Sequence, residues 1–264
     1  MHTNTSWQDV LAQPEAGNHI VQVCQNEAFL VDAVTHFIGA GLQNDDASIV
    51  VIATPVHRLA FIASLERQGY SVQSAKGEGK IKFFDAESLL SSFMRNGMPE
   101  WEAFEKHVGS LMREVQLKYT DVRAYGEMVD LLWQKNKRDA AIQLEEFWNE
   151  LSKQLKFSLL CTYTMNSLDP EAYDGSLDRI CKCHTHLIPT NNYALLEAAV
   201  QEATHDVLGP TLTHTVSELA ASWQTTIQMP PAQATLLFLS EKMPLATQKI
   251  LSRIQDHCAV AATN

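Results

Sequence analysis

Ser48 to Ala53 reads Ser-Ile-Val-Val-Ile-Ala, a continuous apolar run. A strand of this kind has no face to turn to water, so it must be covered on both sides, as in the parallel sheets of α/β proteins. Its surroundings agree. His19 to Cys24 alternates with period two, Lys80 to Phe84 is strand-like, Asp121 to Gly126 is a short strand candidate, and Phe157 to Tyr163 is another buried strand. Cys183 to Ile188 reads as the last strand.

Helical patterns fill the intervals. Phe29, Leu30, Ala33, Val34, Phe37 and Ile38 recur at helical spacing, with Gly39 and Gly41 expected to end that helix. Pro55 opens a second helix that stops at Gly69, and Glu87 to Met94 forms a third, closed by Asn96-Gly97. Glu100 to Tyr119 carries a stripe of Trp101, Phe104, Val108, Leu111, Met112 and Val115, and Ala140 to Leu155 turns Leu144, Phe147, Trp148, Leu151 and Leu155 inward. Strands alternating with helices imply βαβ units, a mostly parallel sheet and helices on both faces. From Tyr193 onward only helical patterns remain: Ala194 to Leu208, Leu212 to Ile227, and Pro231 to His257 with a break at Met243-Pro244. The expected organisation is an α/β domain over residues 1–190 and a helical C-terminal appendage over 191–264.

The chain has 264 residues, 20 Lys+Arg against 31 Asp+Glu, a net charge of −11, and 45 % hydrophobic residues. That composition buries a core without disulfides. The acidic balance argues against a nucleic-acid partner, which needs clustered Lys and Arg. The longest apolar stretches fall short of the ~20 residues of a spanning helix, so no membrane partner is expected. Met1 to Val10 lacks a basic region followed by an apolar run, so no signal peptide is expected. The 5 cysteines, Cys24, Cys161, Cys181, Cys183 and Cys258, fit a reduced, cytoplasmic protein.

In an open α/β sheet, ligands bind beyond the carboxyl ends of the strands. The first strand–helix turn, Cys24-Gln-Asn-Glu-Ala-Phe29, has no glycine, lysine, serine or threonine, and Glu27 would repel phosphate. Lys76-Gly-Glu-Gly-Lys80 has the wrong spacing for a phosphate loop and reads as a turn before a strand. No nucleotide cofactor is expected.

Several segments, in order, carry a resemblance: His19-Ile-Val-Gln-Val with Phe37-Ile-Gly-Ala-Gly-Leu42, Arg123-Ala-Tyr-Gly-Glu-Met-Val129, Leu144-Glu-Glu-Phe-Trp-Asn-Glu-Leu151, Leu159-Leu-Cys-Thr-Tyr163 and Ile180-Cys-Lys-Cys-His184. Together, across roughly residues 17 to 190, they resemble the MEDS family, the DcmR-type sensory domain of methanogens and methylotrophs. The resemblance implies a three-layer α/β/α fold like that of KaiC and RecA without their nucleotide loop. It also implies sensing of small molecules such as hydrocarbon derivatives, beside histidine kinase or DNA-binding modules. This chain shows neither module, only its helical tail.

Individual residues have competing readings. Arg123 and Glu127 flank a strand end and could hold a polar ligand or form an ordinary ion pair. One of Glu145 and Glu146 could face the sheet, or both could be exposed helical acids. Cys161 and Tyr163 share a strand face, with Tyr163 a ligand donor and Cys161 a small core hydrophobe. In Cys181-Lys-Cys-His-Thr-His186, an extended strand would put the cysteines on one face and the histidines on the other, which argues against one metal site. Cys24 is the cysteine to test for a lowered pKa. No serine nucleophile elbow is present.

The leading reading is a non-catalytic sensory or regulatory module that binds a small ligand, a signalling protein partner such as a histidine kinase, or both, at the carboxyl edge of the sheet. Its candidate lining is Cys24, Gln25, Asn26, Arg123, Glu127, Tyr163 and His184. The tail, through Leu236, Leu237, Leu239, Ile250, Leu251 and Ile254, is the expected output or homodimerisation element. The alternatives are an ATPase with a non-standard phosphate loop and a redox or metal sensor built on Cys181, Cys183 and His184.

Overall fold

The computed structural model describes residues 6–23, 25–221 and 227–261, with residues 256–261 described by their backbone alone. The chain divides into two compact units, Met1–Thr164 and Met165–Asn264.

The first unit is a layered α/β structure, as the alternation predicts. Its elements run α1 (Trp7–Ala12), β1 (His19–Val23), α2 (Glu27–Leu42), β2 (Ala47–Ala53), α3 (Pro55–Arg67), α4 (Val72–Glu78), β3 (Ile81–Asp85) and α5 (Ala86–Phe93). A hairpin follows, β4 (Met94–Arg95) and β5 (Met98–Pro99), and then α6 (Trp101–Phe104), a π-helical turn at Glu105–Gly109, and α7 (Ser110–Gln116). β6 (Asp121–Gly126), α8 (Met128–Gln134), α9 (Arg138–Gln154) and β7 (Ser158–Tyr163) complete it. The five long strands that this unit contributes to the sheet stand in the order β3-β2-β6-β7-β1. Every pairing among them is parallel. All of β1, β2 and β7 is buried, as strands covered on both faces must be.

Register assigns the two faces. In a parallel pair, directly matched residues point the same way. Gln22 matches Thr162, and Tyr125 matches Leu160, so Arg123, Tyr125, Thr162 and Gln22 share one face. On that face lie α2 and α3: the Phe61 ring of α3 meets Tyr125 edge-on at 5.3 Å. His19, Cys161 and Tyr163 face the other way, toward α9, whose Glu145 accepts a hydrogen bond from Tyr163 Oη at 2.8 Å.

Polar residues at the strand exits start the helices. Asn26 Oδ1 accepts from Phe29 N at 3.0 Å, Thr54 Oγ1 from His57 N at 3.4 Å, and Asp85 Oδ1 from Ser88 N at 2.8 Å. Each satisfies a backbone donor that the first helical turn leaves over. Because the strands are parallel, all three caps stand at the carboxyl edge.

Three local expectations are corrected. Gly39 and Gly41 do not end α2, which continues through both to Leu42. They are small for close approach: a Cβ on Gly39 would lie 2.9 Å from the Tyr70 ring, and one on Gly41 3.0 Å from Arg123 Cδ and 3.1 Å from Ile49. Asn96-Gly97 does not close a helix; with φ of 51° and 85° the pair makes the hairpin turn between β4 and β5. Most of Lys76 to Lys80 is the end of α4, which Gly79 stops in the left-handed conformation at φ 79°.

The second unit comprises a 3₁₀ turn (Pro170–Tyr173), α10 (Ser176–Lys182), β8 (His186–Ile188), α11 (Tyr193–Ala221), α12 (Pro231–Lys242) and α13 (Pro244–Ala261). The last strand is therefore shorter than Cys183 to Ile188. Leu177, Ile180 and Cys181 are buried at helical spacing, and α10 takes them. α11 breaks at Gly209, φ 75° and ψ 166°, just before Pro210, where the two expected helices meet. Of the Leu212 to Ile227 pattern, residues 222–226 lie outside the described residues. Leu236, Leu239, Ile250, Leu251 and Ile254 pack with Leu196, Val200 and Val216 in a core of this unit's own. Leu237 is buried too. The face expected to mediate dimerisation is thus consumed within the chain. Among the described residues no helix is long and apolar enough to cross a membrane.

Candidate functional site

The carboxyl edge gathers side chains from three strand exits. Glu127 follows β6 and is buried, with one oxygen accepting from the backbone N–H of Thr54, at the exit of β2. Its other oxygen lies 2.5 Å from His57 Nδ1 in the first turn of α3. On the far side of the imidazole, Nε2 is 3.1 Å from Glu27, the first residue of α2 after β1. Tyr125 Oη donates to Glu127 at 3.3 Å and shares a 3.1 Å hydrogen bond with Thr162. A half-buried histidine is thus held between a buried carboxylate and an exposed one.

The electrostatics follow from that geometry. The hydrogen bond to Glu127 favours the imidazolium, burial opposes it, and the charges of Glu127 and Glu27 add to the first effect, raising the His57 pKa to about 9. His57 is therefore a cation at neutral pH. The buried Tyr125 phenol is pushed well above its ordinary value by desolvation, with the Glu127 charge adding to it, and stays a hydrogen-bond donor. Glu27 also belongs to an open groove between α2 and α3, lined by Val31, Ala60, Ala63, Arg67 and Gln68.

The expected lining separates. Glu127 is at the centre of this cluster. Gln25 and Asn26 are exposed on the same edge, where Asn26 caps α2. Cys24 lies outside the described residues. Arg123 sits four residues before Glu127, about 13 Å back along an extended strand. It donates to the carbonyls of Ala12 and Phe37 at 3.2 and 3.3 Å and pairs with Asp121 at 3.4 Å. Arg123 and Glu127 each have an ionic partner, Asp121 and His57, rather than each other. Tyr163 ends β7 on the opposite face, its ring edge-on to Trp133 at 5.3 Å and its hydroxyl on Glu145. His184 is buried in the second unit, donating from Nδ1 to the Ile180 carbonyl at 2.7 Å.

Sequence reading passed over His57 and Thr54. The signal was present: in Thr54-Pro-Val-His57 a capping residue directly follows a parallel strand, which places a side chain three residues on at the carboxyl edge of the sheet. Of Glu145 and Glu146, either of which could face the sheet, Glu145 does so and is buried, and Glu146 is exposed. Cys181 and Cys183 lie at the end of a helix and not on one strand face. Burial raises the Cys181 thiol pKa far above its usual range.

A family model for the MEthanogen/methylotroph, DcmR Sensory domain matches residues 18–185, more than half of the chain. The chain belongs to the MEDS family. The match spans β1 through α10 and so includes every residue of the carboxyl-edge cluster. None of the curated proteins matches it. Membership in a sensory family makes a sensory or regulatory role the coarse function of the chain.

Proposed function

We propose that this MEDS domain is a non-catalytic, cytoplasmic sensor that binds a small organic molecule at the carboxyl edge of its sheet and passes the event to a protein partner. The observation that carries this reading is the double role of Glu27, which contacts the His57 imidazolium and also lines the groove between α2 and α3. A ligand in that groove competes for Glu27. An apolar body suits Val31, Ala60 and Ala63, and a donor group, a hydroxyl or an amine, suits the carboxylate. When Glu27 leaves, His57 keeps only Glu127. Val56 and Leu59 stand exposed beside His57 on α3 and offer a partner an apolar surface that reports the change.

The test is a thermal-shift series with short-chain alcohols and alkylamines, alongside ATP–Mg²⁺, on the wild type and on Glu27→Gln. A molecule that binds the native state raises its melting temperature. An alcohol or amine that stabilises the wild type, moves the His57 imidazole signals by NMR, and loses at least tenfold in affinity in Glu27→Gln supports the reading. Stabilisation by ATP–Mg²⁺ alone, or by no compound at millimolar concentration, overturns it.

A further inference from the structure

The opposite face of the sheet carries a second cluster, and it is closed. His19 on β1, Cys161 on β7 and Glu145 on α9 are all buried, the last two with no exposed surface. His19 Nε2 lies 3.4 Å from Cys161 Sγ and 3.2 Å from Glu145 Oε2, and Cys161 Sγ lies 3.5 Å from the same carboxylate oxygen. Nitrogen, oxygen and sulfur donors thus form a nearly equilateral triangle. Ligands bound tetrahedrally to zinc at about 2.0–2.3 Å stand roughly 3.3–3.7 Å from one another. The triangle has the size of one face of that tetrahedron.

The surrounding groups orient these donors as a metal requires. His19 Nδ1 donates to Asn149 Oδ1 at 2.9 Å. That hydrogen bond holds the proton on Nδ1 and leaves the Nε2 lone pair facing the triangle. Tyr163 Oη donates to Glu145 Oε1 at 2.8 Å, which occupies one carboxylate oxygen and leaves Oε2 toward the centre. A histidine with its outer nitrogen anchored and a carboxylate with its outer oxygen anchored are the second layer that metal sites share.

The geometry points to a transition-metal site, of the zinc class, formed by His19 Nε2, Glu145 Oε2 and the Cys161 thiolate. Binding displaces the Cys161 proton to solvent, and the cation offsets the charges of carboxylate and thiolate inside the sheet. The mixed set of one imidazole, one thiolate and one carboxylate suits Zn²⁺, or Co²⁺ in its place, better than Mg²⁺ or Ca²⁺, which take oxygen ligands. The site ties β1, β7 and α9 together. It is independent of Glu27 and His57, so either proposal can fail without the other.

Metal analysis of the purified full chain is the test, followed by Co²⁺ titration of the chelator-treated protein. The expected result is about one zinc per chain, and with Co²⁺ a thiolate-to-metal charge-transfer band. Cys161→Ser should abolish the band and reduce the metal content at least tenfold, whereas His57→Gln should leave both unchanged. Asn149→Ala, which removes no ligand, should weaken Co²⁺ binding by about 10–100-fold. A wild-type chain that takes up neither zinc nor cobalt in competition with a weak chelator overturns the proposal. So does a charge-transfer band that survives in Cys161→Ser, since the thiolate would then belong to another cysteine. If Cys161→Ser fails to fold, the wild-type titration and Asn149→Ala still decide.

Discussion

The two faces of the sheet each hold a histidine against a glutamate, in opposite solvent environments. On the α2/α3 face His57 bridges a buried carboxylate, Glu127, and an exposed one, Glu27, whose side chain is 63 % accessible. On the α9 face His19, Glu145 and Cys161 are enclosed, with the Glu145 side chain at 0 %. Enclosure changes what the same residue types do. Near water an ion pair is screened and exchangeable, as the ligand response proposed for Glu27 requires. In the interior an unpartnered charge is costly, so the groups must hold one another or a metal ion. One cluster is exchangeable with solvent and the other is closed to it.

That contrast can be broken by substitution. Glu145→Ala should have the largest effect, about 3–5 kcal/mol of lost stability, because it leaves the buried Tyr163 hydroxyl without its acceptor and opens a cavity in the closed face. Urea denaturation measures it, and a loss under 1 kcal/mol would mean that the α9 face is not held by this cluster. Gly41→Ala comes next, at about 1–3 kcal/mol, since the new methyl group crowds Arg123 and Ile49.

His57→Gln should cost about 1 kcal/mol at neutral pH, the partial exposure of the pair limiting it. Its signature is the pH dependence. The folded pKa of about 9 lies above the ordinary 6.5, so the native state binds more protons than the unfolded chain between those values. The stabilisation is complete below about pH 6.5 and is lost as pH rises through 9. Denaturation midpoints across that window should fall in the wild type more steeply than in His57→Gln, and parallel curves would remove His57 as the cause. Glu27→Gln should change stability least, within about 0.5 kcal/mol, while abolishing the ligand response. A large loss of stability there would make Glu27 a structural residue and erase the distinction between the two faces.

The layered fold was legible because β2 and β7 are mostly apolar and the helices between strands carry stripes at their own period. The errors arose where two periods overlap. Leu177, Ile180 and Cys181 satisfy a helical face, while Cys181, Cys183 and the residues up to Ile188 also satisfy strand alternation, and only packing chose α10. Gly39 and Gly41 have two uses in a helix, as a stop or as a place for close approach, and the partners that require the second, Tyr70, Arg123 and Ile49, are distant in sequence. The candidate site was read from strand ends, and that rule does find the edge: Gln25, Asn26 and Glu127 stand on it. It does not tell which face a strand residue takes, and Tyr163 points to α9, away from Glu127.

From its sequence alone the chain had determined its alternation of strands and helices, its family, the helices of its C-terminal region and the lack of a glycine-rich phosphate loop, because each is written in local spacing. Tertiary structure decided the rest. His57 meets Glu127 across 70 positions and His19 meets Cys161 across 142, separations that no local pattern encodes. Parallel pairing brings such residues together, since each return to the sheet passes through a helix and leaves adjacent strands far apart in the chain.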